Sequence, residues 1–286
     1  MNTPNRRAFG PRAIIVTLGL SLSLGLSACG GGGGASPSVS LVQAKTLKYG
    51  QVASIQVVGK YLRSDMTAST GSTCTDPSFN AVSSTPDLAI LNCKVTKTGP
   101  VPITIKDASG DELFTTTLTV PQPQVTFITS EGTVVLELYP DVVPATVDNF
   151  LHYVNNGFYI KTLFHRVISG FVVQGGGYTT GPVRKDGQVA PITLESNKGL
   201  SNTRGTVAMA RTSAPDSATS EFYVNVADNL FLDYASPAAP GYAVFGKVIS
   251  DLAVVDAIAT KPTGVAGGMP DVPLVDVSIV IAAQTR

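Results

Sequence analysis

Residues 164–177 read FHRVISGFVVQGGG and carry the most informative pattern in the sequence. Arg166 lies beside His165, one of only two histidines, within an apolar run of the kind that forms buried strands. Charged side chains are rarely fully buried unless they are paired. Gln174 and three glycines end the run, and glycines allow tight turns. Arg166 is therefore a candidate functional residue rather than a core residue.

The composition of the 286-residue chain favours a β-rich globular protein. Glycine and proline are abundant, at 28 and 19 residues, and only 14% of the residues are charged. This length suggests one or two domains and permits a sizeable core. The formal net charge is zero, so the sequence offers no cationic surface for a nucleic acid. We therefore expect no nucleic-acid partner.

Residues 1–28 have the features of a secretory signal peptide. Three arginines precede the apolar run AIIVTLGLSLSLGLSA, which ends at small residues. The sequence LSAC, Leu26 to Cys29, resembles the lipobox of bacterial lipoproteins, which implies cleavage before Cys29 and a lipid on it. The alternatives are an ordinary signal peptide with a chance cysteine and an uncleaved membrane helix. The run is short for a spanning helix of about 20 residues.

Residues 29–37 comprise the lipidated cysteine and a glycine-rich tether in this interpretation. Glycine rather than aspartate follows Cys29, so the lipoprotein resemblance implies the outer membrane of a Gram-negative cell. The route of export stays open between the general and the twin-arginine pathways, because NRRAF matches a twin-arginine signal only in part. We expect a monomer that faces the periplasm and is attached to the membrane through its lipid.

Cys74 and Cys93 are the two remaining cysteines. An even pair in an exported protein indicates a disulfide. Metal binding fits less well, because neither a second cysteine pair nor a histidine cluster accompanies them. We expect a Cys74–Cys93 disulfide and no metal site.

Residues 38–120 are predicted to form a small β-sandwich domain. Runs such as QVASIQVVGKYL and LAILNCKV are rich in β-branched residues, and turn signals recur about every ten residues. In VPITIKDASGDELFTTTLTV, Gly110 suits a turn that requires positive φ. The pattern resembles the immunoglobulin-like domains of bacterial surface proteins. No chemical cluster is present, so a spacer or interaction module is predicted rather than a specific binding domain.

Residues 121–286 are predicted to form a second domain, after the proline-containing joint VPQPQ. VTFITSEGTVVLELY alternates as two strands joined at SEG. Two helices are expected, one capped by Thr146 and the other, SDLAVVDAIAT, capped by Ser250. VDVSIVIAA is the last predicted strand. Many strands with two well-separated helices suggest a closed antiparallel barrel with helices covering its ends.

Four motifs of the second domain occur in a fixed order: FHRVISGFVVQGGG (164–177), GTVAMAR (205–211), SATSEFYVNVADNLFLD (217–233) and GYAVFGKV (241–248). Together they resemble the cyclophilins, which are peptidyl-prolyl cis-trans isomerases, and in particular their bacterial periplasmic branch. The resemblance covers about residues 124–284. It implies an eight-stranded antiparallel barrel capped by two helices, proline-containing polypeptides as substrates, and no cofactor.

An arginine suits the chemistry of prolyl isomerisation. The nitrogen lone pair is conjugated with the carbonyl, which gives a barrier of about 20 kcal/mol and exchange over tens of seconds. Twisting the bond localises that lone pair on nitrogen, where a guanidinium can donate a hydrogen bond to it. The twisted state is then stabilised more than either planar state, without a nucleophile, metal or cofactor. Arginine keeps its proton at neutral pH and has several donors.

The resemblance assigns catalysis to Arg166, with Gln174 orienting it and contacting the substrate. The substrate-binding residues that it implies are Phe171, Val172, Tyr223 and Leu232 around the proline ring, and His165, Ala210, Arg211, Glu221, Phe231 and Tyr242 along the groove. Considered alone, His165 is more often a structural histidine than a catalytic one. The backbone of Arg211 is expected to supply its contacts.

Four of these positions depart from the commonest pattern of the family. Glu221 replaces a glutamine, and a carboxylate accepts hydrogen bonds but cannot donate them. Tyr223 replaces a phenylalanine, so its hydroxyl either crowds the proline ring or finds a partner. Phe231 replaces the tryptophan of many eukaryotic members, which implies weak cyclosporin binding. Tyr242 stands where many members have histidine.

The sequence therefore predicts a peptidyl-prolyl isomerase that assists the folding of exported proteins in the bacterial cell envelope. The alternative is a non-catalytic, chaperone-like lipoprotein that only binds proline-containing peptides. Arg166 and Gln174 favour the enzyme, whereas Glu221 and Tyr223 keep the alternative open.

Overall fold

A computed structural model describes residues 35–81 and 84–286 of the chain. The predicted signal peptide (1–28), Cys29 and most of the predicted tether lie outside the described residues. Within the described ranges, none of the helices has the length and apolar character needed to cross a membrane.

The amino-terminal block contains seven strands in two antiparallel sheets. The first sheet has the order β1-β2-β5-β4 and the second has the order β3-β6-β7. The strands are Ser38–Gln43 (β1), Val52–Lys60 (β2), Thr67–Ser69 (β3), Cys74–Phe79 (β4), Leu88–Val95 (β5), Gly99–Lys106 (β6) and Glu112–Val120 (β7). Two sheets are the arrangement that the strand pattern predicts, while the immunoglobulin-like relationship stays a prediction.

Alternation along the strands builds one core between the two sheets. Successive side chains of a strand point to opposite faces. In β2, Ile55 and Val57 are fully buried, whereas their neighbours are more exposed, and in β6 the buried residues are Val101, Ile103 and Ile105. These inward faces meet in a single apolar cluster, as in face-to-face sheet packing.

Two local predictions for this block are confirmed. Cys74 on β4 and Cys93 on β5 form a disulfide within the buried cluster. Gly110 lies in the turn between β6 and β7 with φ of 90°, a conformation that favours glycine.

The carboxy-terminal block contains an eight-stranded antiparallel sheet and two helices. The order of the sheet is β10-β11-β15-β14-β16-β9-β8-β19, and β12-β13 and β17-β18 are separate hairpins. The strands are Gln124–Thr129 (β8), Gly132–Leu138 (β9), Arg166–Ile168 (β10), Val172–Gly175 (β11), Tyr178–Thr179 (β12), Val183–Arg184 (β13), Thr206–Met209 (β14), Phe222–Asn225 (β15), Val244–Val248 (β16), Thr263–Ala266 (β17), Met269–Pro273 (β18) and Ile279–Gln284 (β19); the helices are Pro144–Asn155 (α1) and Ala253–Ala259 (α2).

The eight-stranded sheet curls until its two edge strands, β10 and β19, approach each other. Leu163 and Ser278, which precede these strands, form an antiparallel bridge. The Phe164 N–H donates to the Val277 carbonyl at 2.9 Å. β10 has only three residues, so this short contact replaces a full ladder between the edge strands. The predicted closed barrel is thus a curled sheet whose edges are joined by a few backbone hydrogen bonds.

The predicted cap of the first helix is wrong. α1 begins at Pro144, whose fixed φ suits a first turn, and Thr146 lies inside that turn. The N–H and hydroxyl of Thr146 donate to Glu195 Oε2 at 2.8 and 2.7 Å. A carboxylate that is distant in sequence therefore satisfies the helix start in place of a local cap.

The predicted cap of the second helix is also wrong. α2 begins at Ala253, three residues after Ser250. The Ser250 hydroxyl instead accepts a hydrogen bond from the Val135 N–H at 3.1 Å. Asp251 Oδ1 accepts from the Ala253 N–H at 2.9 Å, so the residue after the predicted cap performs this role.

The core of the carboxy-terminal block includes a residue of the amino-terminal block. Aromatic side chains such as Phe127, Phe150 and Phe222 pack edge-to-face or stacked inside the curled sheet. Tyr49 is only 4% exposed and belongs to the same apolar cluster. Its hydroxyl donates to Asp148 Oδ1 at 2.8 Å. The two blocks therefore share buried side chains, and the predicted boundary near residue 120 stays a prediction.

Candidate active site

Strand register brings Arg166, Gln174 and Tyr223 onto one face of the curled sheet. Arg166 on β10 is opposite Gln174 on β11, and Gln174 is opposite Tyr223 on β15. The row continues to Ala208 on β14. Directly opposed residues share a face of a sheet. The antiparallel pairing thus collects side chains from three of the sequence motifs.

Arg166 is partly exposed rather than buried, and Gln174 holds it. The guanidinium Nη1 donates to Gln174 Oε1 at 3.2 Å. The guanidinium carbon lies 5.9 Å from the centroid of the Phe171 ring, within the range of a cation–π contact. Only one of its donors is engaged by Gln174, so others remain to contact a ligand.

Gln174 is held in turn by Glu221. The Gln174 Nε2 donates to Glu221 Oε2 at 2.9 Å, and His165 Nε2 lies 3.2 Å from the same oxygen. His165 is 3% exposed, and its ring centroid lies 4.5 Å from that of Tyr178. His165 thus contacts Glu221 from within the fold, and its predicted place along the groove stays a prediction.

A cavity of about 280 Å³ opens beside Arg166. It is lined by Arg166, Phe171, Val172, Gln174, Ala210, Arg211, Tyr223, Leu232 and Tyr242. All nine residues belong to the predicted set. The lining combines apolar side chains with the polar groups of Arg166, Gln174 and Arg211, so the cavity can hold an apolar ring and also contact an amide.

Glu221 and Phe231 lie next to this cavity rather than in its lining. Glu221 lines a neighbouring cavity of about 370 Å³ together with Arg184. Phe231 is 75% exposed, and its ring stacks on Phe171 at a centroid distance of 5.7 Å. Both therefore flank the pocket.

The Tyr223 hydroxyl has a partner away from the cavity. It donates to Asn202 Oδ1 at 2.8 Å, while the Tyr223 ring meets Tyr242 edge-to-face. Burial raises the pKa of Tyr223 well above its ordinary value. The hydroxyl thus stays protonated, and it fixes the ring that lines the cavity. Of the two possibilities that the sequence leaves open for Tyr223, the structure shows the second, in which the hydroxyl finds a partner.

Buried amides form a support that the sequence reasoning missed. Asn202 Nδ2 donates to Asp233 Oδ1 at 2.9 Å, and Asn225 Nδ2 donates to Asn202 Oδ1 at 3.2 Å. Asn229 Nδ2 donates both to Asn225 Oδ1 and to the Phe171 carbonyl. Asparagines within the apolar motif YVNVADN were the available signal, because buried amides require partners.

Hydrogen bonds set the protonation state of Asp233. Burial acts to raise its pKa, but hydrogen bonds from the Ser201 hydroxyl and from the Asn202 N–H and side-chain amide outweigh burial and hold the pKa below its usual value. Asp233 is therefore a carboxylate at neutral pH and anchors the amide network.

Arg211 closes one side of the pocket with its side chain. Its Nε donates to the Gly241 carbonyl at 2.9 Å, and its guanidinium carbon lies 4.6 Å from the centroid of the Tyr242 ring. The side chain thus ties the loop before β16 to the end of β14. The predicted backbone contacts of Arg211 with substrate stay a prediction.

Two of the glycines after Gln174 suit their positions for different reasons. Gly176 has φ of 89°, which disfavours other residues. Gly177 leaves room for Glu221, because a Cβ at this position would lie 2.6 Å from Glu221 Cγ.

In residues 35–81 and 84–286, no three His, Cys, Asp or Glu side chains come together as candidate metal ligands.

Comparisons with known proteins identify the family of the carboxy-terminal block. A sequence model described as cyclophilin type peptidyl-prolyl cis-trans isomerase/CLD matches residues 124–283. The chain is 52% identical over 152 residues to a peptidyl-prolyl cis-trans isomerase of Acinetobacter baylyi, covering 53% of this chain and 80% of the relative. It is 48% identical over 157 residues to peptidyl-prolyl cis-trans isomerase B of Escherichia coli, covering 54% of this chain and 95% of the relative. The chain belongs to the cyclophilin-type peptidyl-prolyl cis-trans isomerase family.

Proposed function

We propose that this protein is a lipid-anchored peptidyl-prolyl isomerase that assists the folding of exported proteins in the Gram-negative cell envelope. One observation carries the catalytic part of the proposal: Gln174 holds the guanidinium of Arg166 beside a cavity that is also lined by Phe171, Val172 and Leu232. The substrates are polypeptides that contain proline. We propose that the protein acts as a monomer.

The cavity places the proline ring and leaves the amide to Arg166. Phe171, Val172 and Leu232 supply apolar wall, and the buried ring of Tyr223 supplies more. With the ring held, rotation of the preceding carbonyl twists the prolyl bond. The amide nitrogen then becomes pyramidal and gains a localised lone pair, which accepts a hydrogen bond from Arg166. This interaction exists only in the twisted state, so it lowers the barrier instead of only tightening binding.

Two features support a location in the cell envelope. The Cys74–Cys93 disulfide joins neighbouring strands of the amino-terminal block, and disulfides persist in exported proteins. The signal-like residues 1–28 and the lipobox-like cysteine Cys29 supply the address and the membrane anchor. In this proposal the amino-terminal block is a spacer or interaction module between the lipid and the isomerase.

The catalytic proposal is tested with the full chain and a proline-containing peptide. Arg166→Ala is expected to lower kcat/KM by about 100-fold, because removal of one donor aimed at a transition state costs factors of this order. Arg63→Ala, at an exposed arginine of the amino-terminal block, is the matched control and should match the wild type. Exchange NMR of the cis and trans peptide signals measures the rates.

The outcomes separate the enzyme from the binding protein. Wild-type acceleration that Arg166→Ala does not reduce would refute the role of Arg166. A wild-type chain that shifts the peptide signals on binding but leaves their exchange at the uncatalysed rate would establish the non-catalytic alternative. For the anchor, Cys29→Ser should abolish palmitate labelling, and unchanged labelling would exclude the lipoprotein assignment.

A further inference from the structure

A chain of hydrogen bonds runs from the proposed catalytic arginine to a buried histidine. Arg166 donates to Gln174 Oε1, Gln174 Nε2 donates to Glu221 Oε2, and His165 Nε2 meets the same carboxylate oxygen. The distances are 3.2, 2.9 and 3.2 Å. Glu221 is the one acidic member of this chain, and both neighbouring groups converge on one of its oxygens.

The two ends of this chain fix the direction of the amide between them. A guanidinium only donates hydrogen bonds, and a carboxylate only accepts them. Gln174 must therefore present its oxygen to Arg166 and its nitrogen to Glu221. In the flipped amide, the Gln174 nitrogen would meet the guanidinium, so two donors would face each other. The Gln174 oxygen would meet the carboxylate of Glu221, so two acceptors would face each other. A neutral side chain at position 221 that can both donate and accept hydrogen bonds does not impose this direction.

The surroundings of Glu221 keep it available as a charged acceptor. Gly177 provides the space that the carboxylate occupies. His165 is buried, and among the described residues its Nδ1 has no hydrogen-bond partner. Nε2 is the ring nitrogen that faces the carboxylate, so it donates its hydrogen to Glu221.

The titratable and charged groups that face Glu221 come from several elements. His165 lies just before β10. Arg184 on β13 and Arg211 after β14 line the same cavity as Glu221. The phenol of Tyr159 lies in the adjacent core. Burial acts to raise the pKa of Glu221, but the hydrogen bond and electrostatic interaction with His165, the hydrogen bond from Gln174 and the charge of Arg184 outweigh burial and hold the pKa below its usual value. Glu221 is accordingly a carboxylate throughout the neutral range.

We propose that Glu221 is a positioning residue, which locks the amide of Gln174 and through it aims Arg166 at the prolyl nitrogen. The inference rests on the proposed isomerase function, and it assigns to Glu221 a role other than substrate contact. A positioning residue acts on kcat, because the geometry that it fixes matters in the twisted state. A residue that only contacts substrate acts mainly on KM.

Reversing the polarity of the chain tests the proposal. Glu221→Gln removes the lock and is expected to lower kcat about fivefold with little change in KM. Gln174→Glu sets two carboxylate oxygens at the present 2.9 Å contact and is expected to lower kcat at least tenfold. The double variant restores a full chain in the opposite direction, because the new amide at position 221 donates to the new carboxylate at position 174 and accepts from His165. We expect it to recover most of the activity that Gln174→Glu loses.

Opposite results would overturn the proposal. A double variant no more active than Gln174→Glu, or an effect of Glu221→Gln confined to KM, shows that Glu221 does not act through Gln174. The pH profile adds a second criterion. The kcat of the wild type should fall at a pH below the usual glutamate pKa of about 4.3, while the kcat of Glu221→Gln should stay constant there. Circular dichroism at each pH checks that both proteins remain folded. Profiles that coincide contradict the lock.

One readout does not need activity and so separates this inference from the proposed function. The guanidinium NMR signals of Arg166 report its hydrogen bond to Gln174. They should shift and broaden in Glu221→Gln and return toward wild-type behaviour in the double variant. Unchanged signals in all variants would refute the positioning role even in an active enzyme. An inactive wild type with the expected shifts would refute only the isomerase function.

Discussion

Replacement of Tyr49 is expected to destabilise the carboxy-terminal block, although Tyr49 lies in the loop between β1 and β2. The ring is 4% exposed within the core of the curled sheet, and its hydroxyl donates to Asp148. Its backbone carbonyl accepts from Gln284 Nε2 at 3.0 Å. The side chain therefore acts as an internal core residue of the other block.

The magnitude follows from what each substitution removes. Tyr49→Phe keeps the ring and deletes the hydrogen bond to Asp148, an exposed carboxylate that water can solvate again, so the loss is about 1 kcal/mol. Tyr49→Ala also removes a buried ring, and such truncations cost about 3–5 kcal/mol. Since whole domains are stable by only about 5–15 kcal/mol, the alanine variant should lose a large part of the total.

Urea denaturation of the full chain measures these losses. The chain has no tryptophan, so circular dichroism and isomerase activity are the probes of unfolding. Tyr61→Phe, at a tyrosine that is 57% exposed, is the control and should change stability by less than about 0.5 kcal/mol. The reasoning is refuted if Tyr49→Ala loses activity at the same urea concentration as the wild type.

Two further predictions concern the disulfide and alkaline pH. Reduction of the disulfide between Cys74 and Cys93, which are 19 residues apart, should lower the free energy of unfolding by about 3 kcal/mol in the chain-entropy treatment. The urea midpoint should therefore be lower with reductant than without it, and equal midpoints would contradict this expectation. Burial raises the pKa of Tyr159 and Tyr223 well above the ordinary value of about 10. The folded state keeps these protons, so their stabilisation is present below about pH 10 and is lost at higher pH. A midpoint that stays constant from pH 8 to 11 would contradict this.

The pocket residues were predicted from the family resemblance, which connects residues of four separate motifs. Only the pair Arg166 and Gln174 is local, because the register of two short strands places them opposite each other. The strands around Gly110 were predictable from alternation and turn chemistry, and the Cys74–Cys93 disulfide from an even pair of cysteines in a chain with a signal-like start.

The errors and omissions share a different cause, which is contact between distant residues. Thr146 was a reasonable cap by type, but Glu195, 49 residues away, satisfies that helix start instead. The contact between His165 and Glu221 was missed, because Glu221 lies inside a different motif. Tyr49 carries no pattern that connects it with the other block. Such contacts depend on the packing of whole sheets, which hydrophobic periodicity does not encode.

The position of the last strand has a consequence for the order of folding. β19 ends at Gln284, which contacts Tyr49 and Asn155, and Ser278 just before it bridges to Leu163. The amino-terminal block can pair its seven strands as soon as residue 120 is available. The curled sheet must instead wait for the segment around β19, because the bridge between Leu163 and Ser278 joins segments that are distant in sequence. During synthesis, the segment that carries Arg166 therefore gains this anchor only after the other strands of the sheet have been made.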